Sequence, residues 1–277
     1  MSKGITSVEG FVRKVFKIAK AGEETLFYRG HSNRDKYKLQ PAIFRTPEER
    51  AAEPIMFREL LIANAPDFRD DASTFEKLVR MQHYSLPTRL LDISTNPLVA
   101  LYFACKSSPD NTGEVIRFAV NHEYIKFFDS DTASCISNLA QLSQNDKVAI
   151  DFTKAGTDFN SQEAIRKLLH FIKEEKPYFT DTIIPDDLRR IICIRGKLSN
   201  TRIVSQSGAF LIFGLNAELP EEGDDDIKIE RLTISAQAKP KILEELDTLA
   251  LNESTIFPYI ENSARYIATK YRPKNKM

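Results

Sequence analysis

The sequence predicts an α+β fold: a mixed, mainly antiparallel sheet packed with helices, in a single domain spanning residues 1–277 with its core at about 25–270. Three observations predict it. Helical periodicity dominates the first hundred residues, and strand-like runs begin after Gly113. The two kinds are segregated, not alternating as βαβ units require. Glycine is scarce, with 10 in 277 residues, and no glycine-rich loop is present to cradle a phosphate, which argues against a doubly wound dinucleotide fold.

Val8, Phe11, Val12, Val15, Phe16 and Ala19 recur at helical spacing, so Ser7–Lys20 reads as an amphipathic helix that Gly22 ends. Thr25–Tyr28 reads as a short buried strand delivering Arg29-Gly30-His31 at its mouth. Thr46-Pro47-Glu48-Glu49 carries an N-cap, a first-turn Pro and a Glu three after the cap. The helix it opens is expected to reach about Asn64 and to bury Ile55 or Met56, Leu60 and Ala63. Ser73-Thr74-Phe75-Glu76 repeats the capping box, and Asn96-Pro97 caps a nearly wholly apolar helix to Cys105. Between those two helices lies Gln82–Pro97, with Leu90–Ser94 extended.

Strands are expected at Glu114–Val120, Tyr124–Phe128, Arg190–Arg195, Arg202–Gln206, Ala209–Phe213 and Ile227–Ile234. Helices are expected at Thr132–Gln144, from a Ser161 cap through Ile172, at Pro240–Ala250 and at Phe257–Tyr271. Glu221–Asp226 reads as a solvated loop tip and Arg272–Met277 as a basic tail.

Hydrophobic residues make up 42% and charged residues 28%, as a soluble globular chain with a real core requires. The 39 basic and 39 acidic residues cancel, so no global field draws nucleic acid or an anionic membrane. No apolar run approaches the roughly 20 residues that span a bilayer, and the N-terminus lacks a secretion signal. Cys105, Cys135 and Cys193 lie scattered in apolar context, which fits free thiols in a reducing cytoplasm. His31, His83, His122 and His170 have no metal-ligand spacing, and no metal is expected.

Polar groups interleaved with leucines mark the candidate site. Arg29, after Tyr28 and before Gly30 and His31, can hold a phosphate or carboxylate, or can tie its strand to a neighbour. His83, beside Gln82, follows a capped helix whose C-terminus favours its charged form; it reads as an acid or base, or as a structural histidine. Thr88, Arg89 and Asp92 lie within five residues: either Arg89 pairs with Asp92, or Arg89 binds phosphate and Asp92 orients it. Ser94 and Thr95 offer helix capping or hydroxyls for a ribose. Ser205-Gln206-Ser207-Gly208 interrupts a strand pair, where a bulge would aim Gln206 at a site.

Tyr28-Arg29-Gly30, the run Gln82–Asp92 followed by Ala100-Leu101-Tyr102-Phe103-Ala104, and Arg202–Phe210 together resemble the FRG domain, a bacterial family named for its Phe/Tyr-Arg-Gly motif. Ser85 stands where the family usually has Gly, and Ile93 where it has Trp. A further analogy is to ADP-ribosyltransferases, some of which use an Arg ending the first strand, a Ser-Thr strand motif and a late Gln/Glu-x-Glu. Arg29, Ser94-Thr95 and Gln206 fall in that order, but Gly208 takes the place of the catalytic Glu.

The family resemblance implies a fold more than an activity; the analogy implies an ADP-ribosyltransferase-like fold and a nucleotide- or NAD-handling enzyme, an effector or toxin in phage defence, with NAD as cofactor and a protein or RNA target. Arg29, His83 and Gln206 would be catalytic. Tyr28, Gly30, His31, Gln82, Thr88, Arg89, Asp92, Ser94 and Thr95 would bind substrate. Two alternatives stay open. One is a metal-independent nuclease in which His83 acts as acid or base while Arg29 and Arg89 clamp phosphate. The other is a non-enzymatic binding or sensing module whose polar motifs specify the fold.

Overall fold

Strand alternation builds two apolar faces from one sheet. The computed structural model describes residues 4–18, 24–197 and 204–271. Among them the strands are β1 (Glu24–His31), β2 (Leu90–Ser94), β3 (Gly113–Asn121), β4 (Ile125–Phe127), β5 (Ile191–Arg195), β6 (Gly208–Phe213) and β7 (Ile227–Ile234). They form a seven-stranded sheet in the order β4-β5-β6-β2-β1-β3-β7. Every neighbouring pair is antiparallel except β4 and β5. The fold is α+β, as expected.

The helices are α1 (Val8–Ile18), α2 (Pro47–Ala63), α3 (Thr74–His83), α4 (Pro97–Cys105), α5 (Asp131–Asn138), α6 (Gln144–Val148), α7 (Gly156–Asn160), α8 (Glu163–Glu175), α9 (Lys239–Thr248), α10 (Glu253–Ile256) and α11 (Ile260–Lys270). On one face of the sheet, Leu90, Ile192, Ile194, Phe210 and Ile212 pack with α3, α5 and α8. Further along, Tyr28, Val115, Leu232 and Ile234 pack with α1, α4 and α9. The intervening strand residues, among them Phe27, Leu91, Ile93, Ile116, Phe118 and Leu211, turn the other way onto Leu39, Ile43 and Phe44.

The caps form as expected. The Ser73 hydroxyl accepts from Glu76 N, and Glu76 returns the bond to Ser73 N at 3.1 Å. Thr46 caps α2 and Asn96 caps α4. Other expectations need correction. In α2 Met56 and Leu60 pack on the cores as expected, but Glu53, Pro54 and Phe57 are the buried residues, Ile55 is 62% exposed and Ala63 is exposed. The reason is a buried arginine, described below, that requires a carboxylate. The helix expected over Thr132–Gln144 breaks into α5, a 3-10 turn at Leu139–Gln141, and α6, because Ser143 caps a new helix. Ser161 ends α7 instead of starting α8. Of the strand expected at Arg202–Gln206, residues 202 and 203 lie outside the described residues, and Gln206 sits in a turn. The expected tail at 272–277 also lies outside them.

Ser85 is the left-handed stop of α3, with φ 67°. Leu86 N donates to Met81 O and Ser85 N to Gln82 O, both at 3.0 Å, the paired bonds of a Schellman end. A non-glycine residue there carries about 1–2 kcal/mol of backbone strain, offset in part by the smaller entropy it loses on folding. Ser85→Gly is therefore expected to raise stability by about 0.5–1 kcal/mol in a urea unfolding curve.

Candidate functional site

The sheet opens near its centre. β1 and β3 pair along their whole length, from Glu24↔Asn121 to His31↔Glu114, and β2 pairs with β6 from Leu90↔Ile212 to Ser94↔Gly208. Between β1 and β2 the register is the single position Tyr28↔Ser94. Beyond it the strands part, and backbone groups facing the gap need other partners. Arg29 supplies one: its Nη1 donates to the Asp92 carbonyl at 2.7 Å.

A cavity of about 170 Å³ lies at this opening, between α3 and α4. α3 contributes Val79, Gln82 and His83, and α4 contributes Val99, Ala100 and Phe103. The strands bring Tyr28, Arg29, Gly30, Asp92, Ile93, Ser94, Gly208 and Phe210, and the turn before β6 brings Gln206. An apolar cavity near 150 Å³ admits a benzene ring, so this one takes a single ring-sized group.

The polar side chains are oriented by their neighbours. The Thr88 hydroxyl donates to Gln82 Oε1 at 2.5 Å, leaving the Gln82 amide nitrogen for the cavity. Gln206 Nε2 donates to Ile256 O at 3.2 Å, and its Oε1 has no hydrogen-bond partner among the described residues. One amide thus offers a donor and the other an acceptor. The Ser94 hydroxyl donates to Gln206 O at 2.6 Å and accepts from Asn96 N, so it is spent joining β2 to the Gln206 turn. Tyr259 OH lies 3.2 Å from Nδ1 and 3.1 Å from Nε2 of His83, at the cavity's α3 wall. Burial raises the Tyr28 hydroxyl's pKa, with Arg117 opposing, and keeps it protonated.

Burial lowers the Arg29 pKa and the Asp92 charge opposes that shift, yet a guanidinium remains a cation at neutral pH. Its Nε donates to His31 Nε2 at 3.1 Å. With one Nη1 proton on Asp92 O, three of the five guanidinium N–H groups remain for a ligand.

Arg29, His83 and Gln206, expected from three separate segments, meet on this cavity, as do Tyr28, Gly30, Gln82, Asp92 and Ser94. Four residues expected to bind substrate lie elsewhere. His31 is 3% exposed, behind Arg29. Thr88 supports Gln82. The Thr95 hydroxyl donates to Ser207 O at 3.4 Å, away from the cavity lining.

Arg89 requires the largest correction. It is 1% exposed and pairs not with Asp92 but with Glu53 of α2, Nε–Oε1 2.8 Å and Nη2–Oε2 2.5 Å. Its Nη1 donates to Phe213 O and Gly214 O, and Lys147 Nζ reaches the same Glu53 Oε2 at 2.6 Å. Arg89 is structural. The nuclease reading therefore loses one of its two phosphate clamps.

Gly30 also changes role. A Cβ there would meet Ala100 O at 2.0 Å and Ala104 N at 2.6 Å, so the glycine seats α4 directly on β1. Phe103, Phe210 and Val79 line the cavity and were not singled out from the sequence. The alternation of β6 and the apolar run of α4 carried a weak signal for the first two. Among the described residues no helix is long and apolar enough to cross a membrane, and no cluster of three metal-binding side chains occurs.

Residues 24–113 match the family model described as the FRG domain. No curated protein and no solved structure matches the chain.

Proposed function

This chain carries an FRG domain, and we propose that the cavity at its centre binds a nucleotide of the NAD kind. One observation carries the reading: Arg29, His83 and Gln206, from segments far apart in sequence, line a single ring-sized cavity together with Phe103 and Phe210. A flat ring fits between such walls, and the Gln82 nitrogen and Gln206 oxygen complement a carboxamide or base edge that both donates and accepts. Arg29 then meets the phosphate, for which a guanidinium fork is well suited.

Transfer chemistry at the glycosidic bond needs a carboxylate to hold a ribose hydroxyl. Gly208 occupies the place where transferases carry Glu, and among the lining residues Asp92 is the carboxylate. Binding is the function this constellation supports most directly, with turnover resting on Asp92 and His83.

Saturating NAD is expected to raise the thermal midpoint of the full chain, by the equivalent of about 2.7 kcal/mol at a hundred times the dissociation constant. Gln206→Ala and Arg29→Ala should each remove that shift while circular dichroism of the unliganded protein is retained. Absence of any shift with NAD, AMP or ADP-ribose would sink the reading. A shift with short RNA alone would instead favour the phosphodiester reading.

A further inference from the structure

Arg29 enters the cavity with part of its guanidinium already engaged, and the partner at Nε is a second side chain of its own strand. Strand periodicity places Arg29 and His31 on the same face of β1. The register sets His31 directly opposite Glu114 on β3, and Arg231 lies one strand further on, opposite Ile116. Cross-strand neighbours at this spacing interact. The resulting chain runs from Arg29 Nε to His31 Nε2 (3.1 Å), from His31 Nδ1 to Glu114 Oε1 (3.1 Å), and from Arg231 Nη1 to the same Glu114 oxygen (2.8 Å). His31 is 3% exposed and Glu114 fully buried.

The chemistry admits one arrangement of protons. The Arg29 Nε–H can only donate, so His31 Nε2 must offer its lone pair. The ring proton then sits on Nδ1 and is donated to Glu114. Protonating Nε2 would point an N–H at an N–H and place three cations around one carboxylate. Burial lowers the His31 pKa, and Arg29 and Arg231 push the same way against Glu114.

We infer that His31 is a positioning residue: held by Glu114 as the neutral Nδ1–H tautomer, it orients Arg29 so that the guanidinium presents its remaining N–H groups to an anion in the cavity. A carboxylate that fixes a histidine tautomer, so that the ring can orient the group beyond it, is a recurring device around functional centres. The identity of the anion rests on the nucleotide reading; the positioning is a property of the unliganded protein.

Nuclear magnetic resonance of the ¹⁵N-labelled full chain tests the two separately. In the free protein the His31 ring nitrogens should report one neutral tautomer with the proton on Nδ1, and the Arg29 Nε–H should exchange slowly with water. His31→Leu should speed that exchange and weaken NAD binding, each by about tenfold or more, as expected for losing a hydrogen bond to a charged group. His31→Gln, whose side-chain oxygen can accept from Arg29, should restore both to within about threefold of wild type. A proton on Nε2 overturns the inference, as does an Arg29 Nε–H that exchanges equally fast in wild type and His31→Leu. Should His31→Leu fail to fold, the wild-type tautomer and the His31→Gln exchange rate decide. If the tautomer and exchange results stand while wild type binds no nucleotide, the positioning role is upheld and the nucleotide reading fails.

Discussion

Glu53→Gln should destabilise the protein by about 3–5 kcal/mol, because it leaves two buried cations without their carboxylate. Arg89 and Lys147 both close on Glu53, and all three are at most 5% exposed. One carboxylate shared between two cations is satisfied, whereas the cations are not equally so. Burial pushes the Glu53 pKa up, but Arg89 and Lys147 overcome it and hold the group below its ordinary value. Lys147, the second cation, is lowered to about 8, chiefly by burial, with Glu53 opposing.

The two shifts act at opposite ends of the pH scale. The depressed Glu53 contributes stability that is present above the ordinary carboxylate range and lost as pH falls through its folded value. Between about pH 8 and the ordinary lysine value of 10.5, the unfolded chain binds the Lys147 proton more tightly than the native one, so stability rises with pH there. Urea unfolding of wild type and Glu53→Gln from pH 3 to 10 checks both limbs: the acid limb should flatten in the variant. Lys147→Met, which removes the surplus charge but keeps the stem, should be near neutral or stabilising at pH 7. Equal large losses from both substitutions would show that the cluster is not organised around one shared carboxylate.

Gly30→Ala is the second large effect, expected to exceed about 3 kcal/mol, the upper end of ordinary overpacking costs. The added Cβ meets backbone at 2.0 and 2.6 Å and Phe103 Cβ at 2.9 Å, so no side-chain rotation relieves it and α4 must move off β1. α4 also carries Val99, Ala100 and Phe103 of the cavity wall. The variant should therefore lose the thermal shift proposed for NAD even where it remains folded. Wild-type stability with an intact shift would contradict the seat that Gly30 provides for α4.

What could be read from the sequence was local. Ser73-x-x-Glu76, Thr46-Pro47 and Asn96-Pro97 satisfy helix ends with their own side chains, so those starts were legible. Arg29 stood out at the mouth of a buried strand, His83 among polar groups interleaved with leucines, and Gln206 where a glycine interrupts a strand pair. What misled was proximity along the chain. Arg89 and Asp92 are three apart, yet Arg89 finds Glu53, 36 residues upstream. No helical period reveals that α2 turns a carboxylate inward, since apolar Ile55 and Met56 sit beside Glu53. His31 looked like part of an open mouth, but alternation places it in line with Arg29 and across from Glu114. The parting of β1 from β2 is a tertiary event with no local signature.

That parting has a mechanical side. Two hydrophobic cores meet across the middle of the sheet, one gathered by α3, α5 and α8, the other by α1, α4 and α9. At the seam the ribbon itself is stitched by one register position and one guanidinium. A molecule seated there touches both halves at once, on α3 and β6 to one side and on β1 and α4 to the other. Occupancy would work as a rivet on that face, adding to the packing of Phe27, Leu91, Ile93 and Ile116 that already joins the two halves on the other.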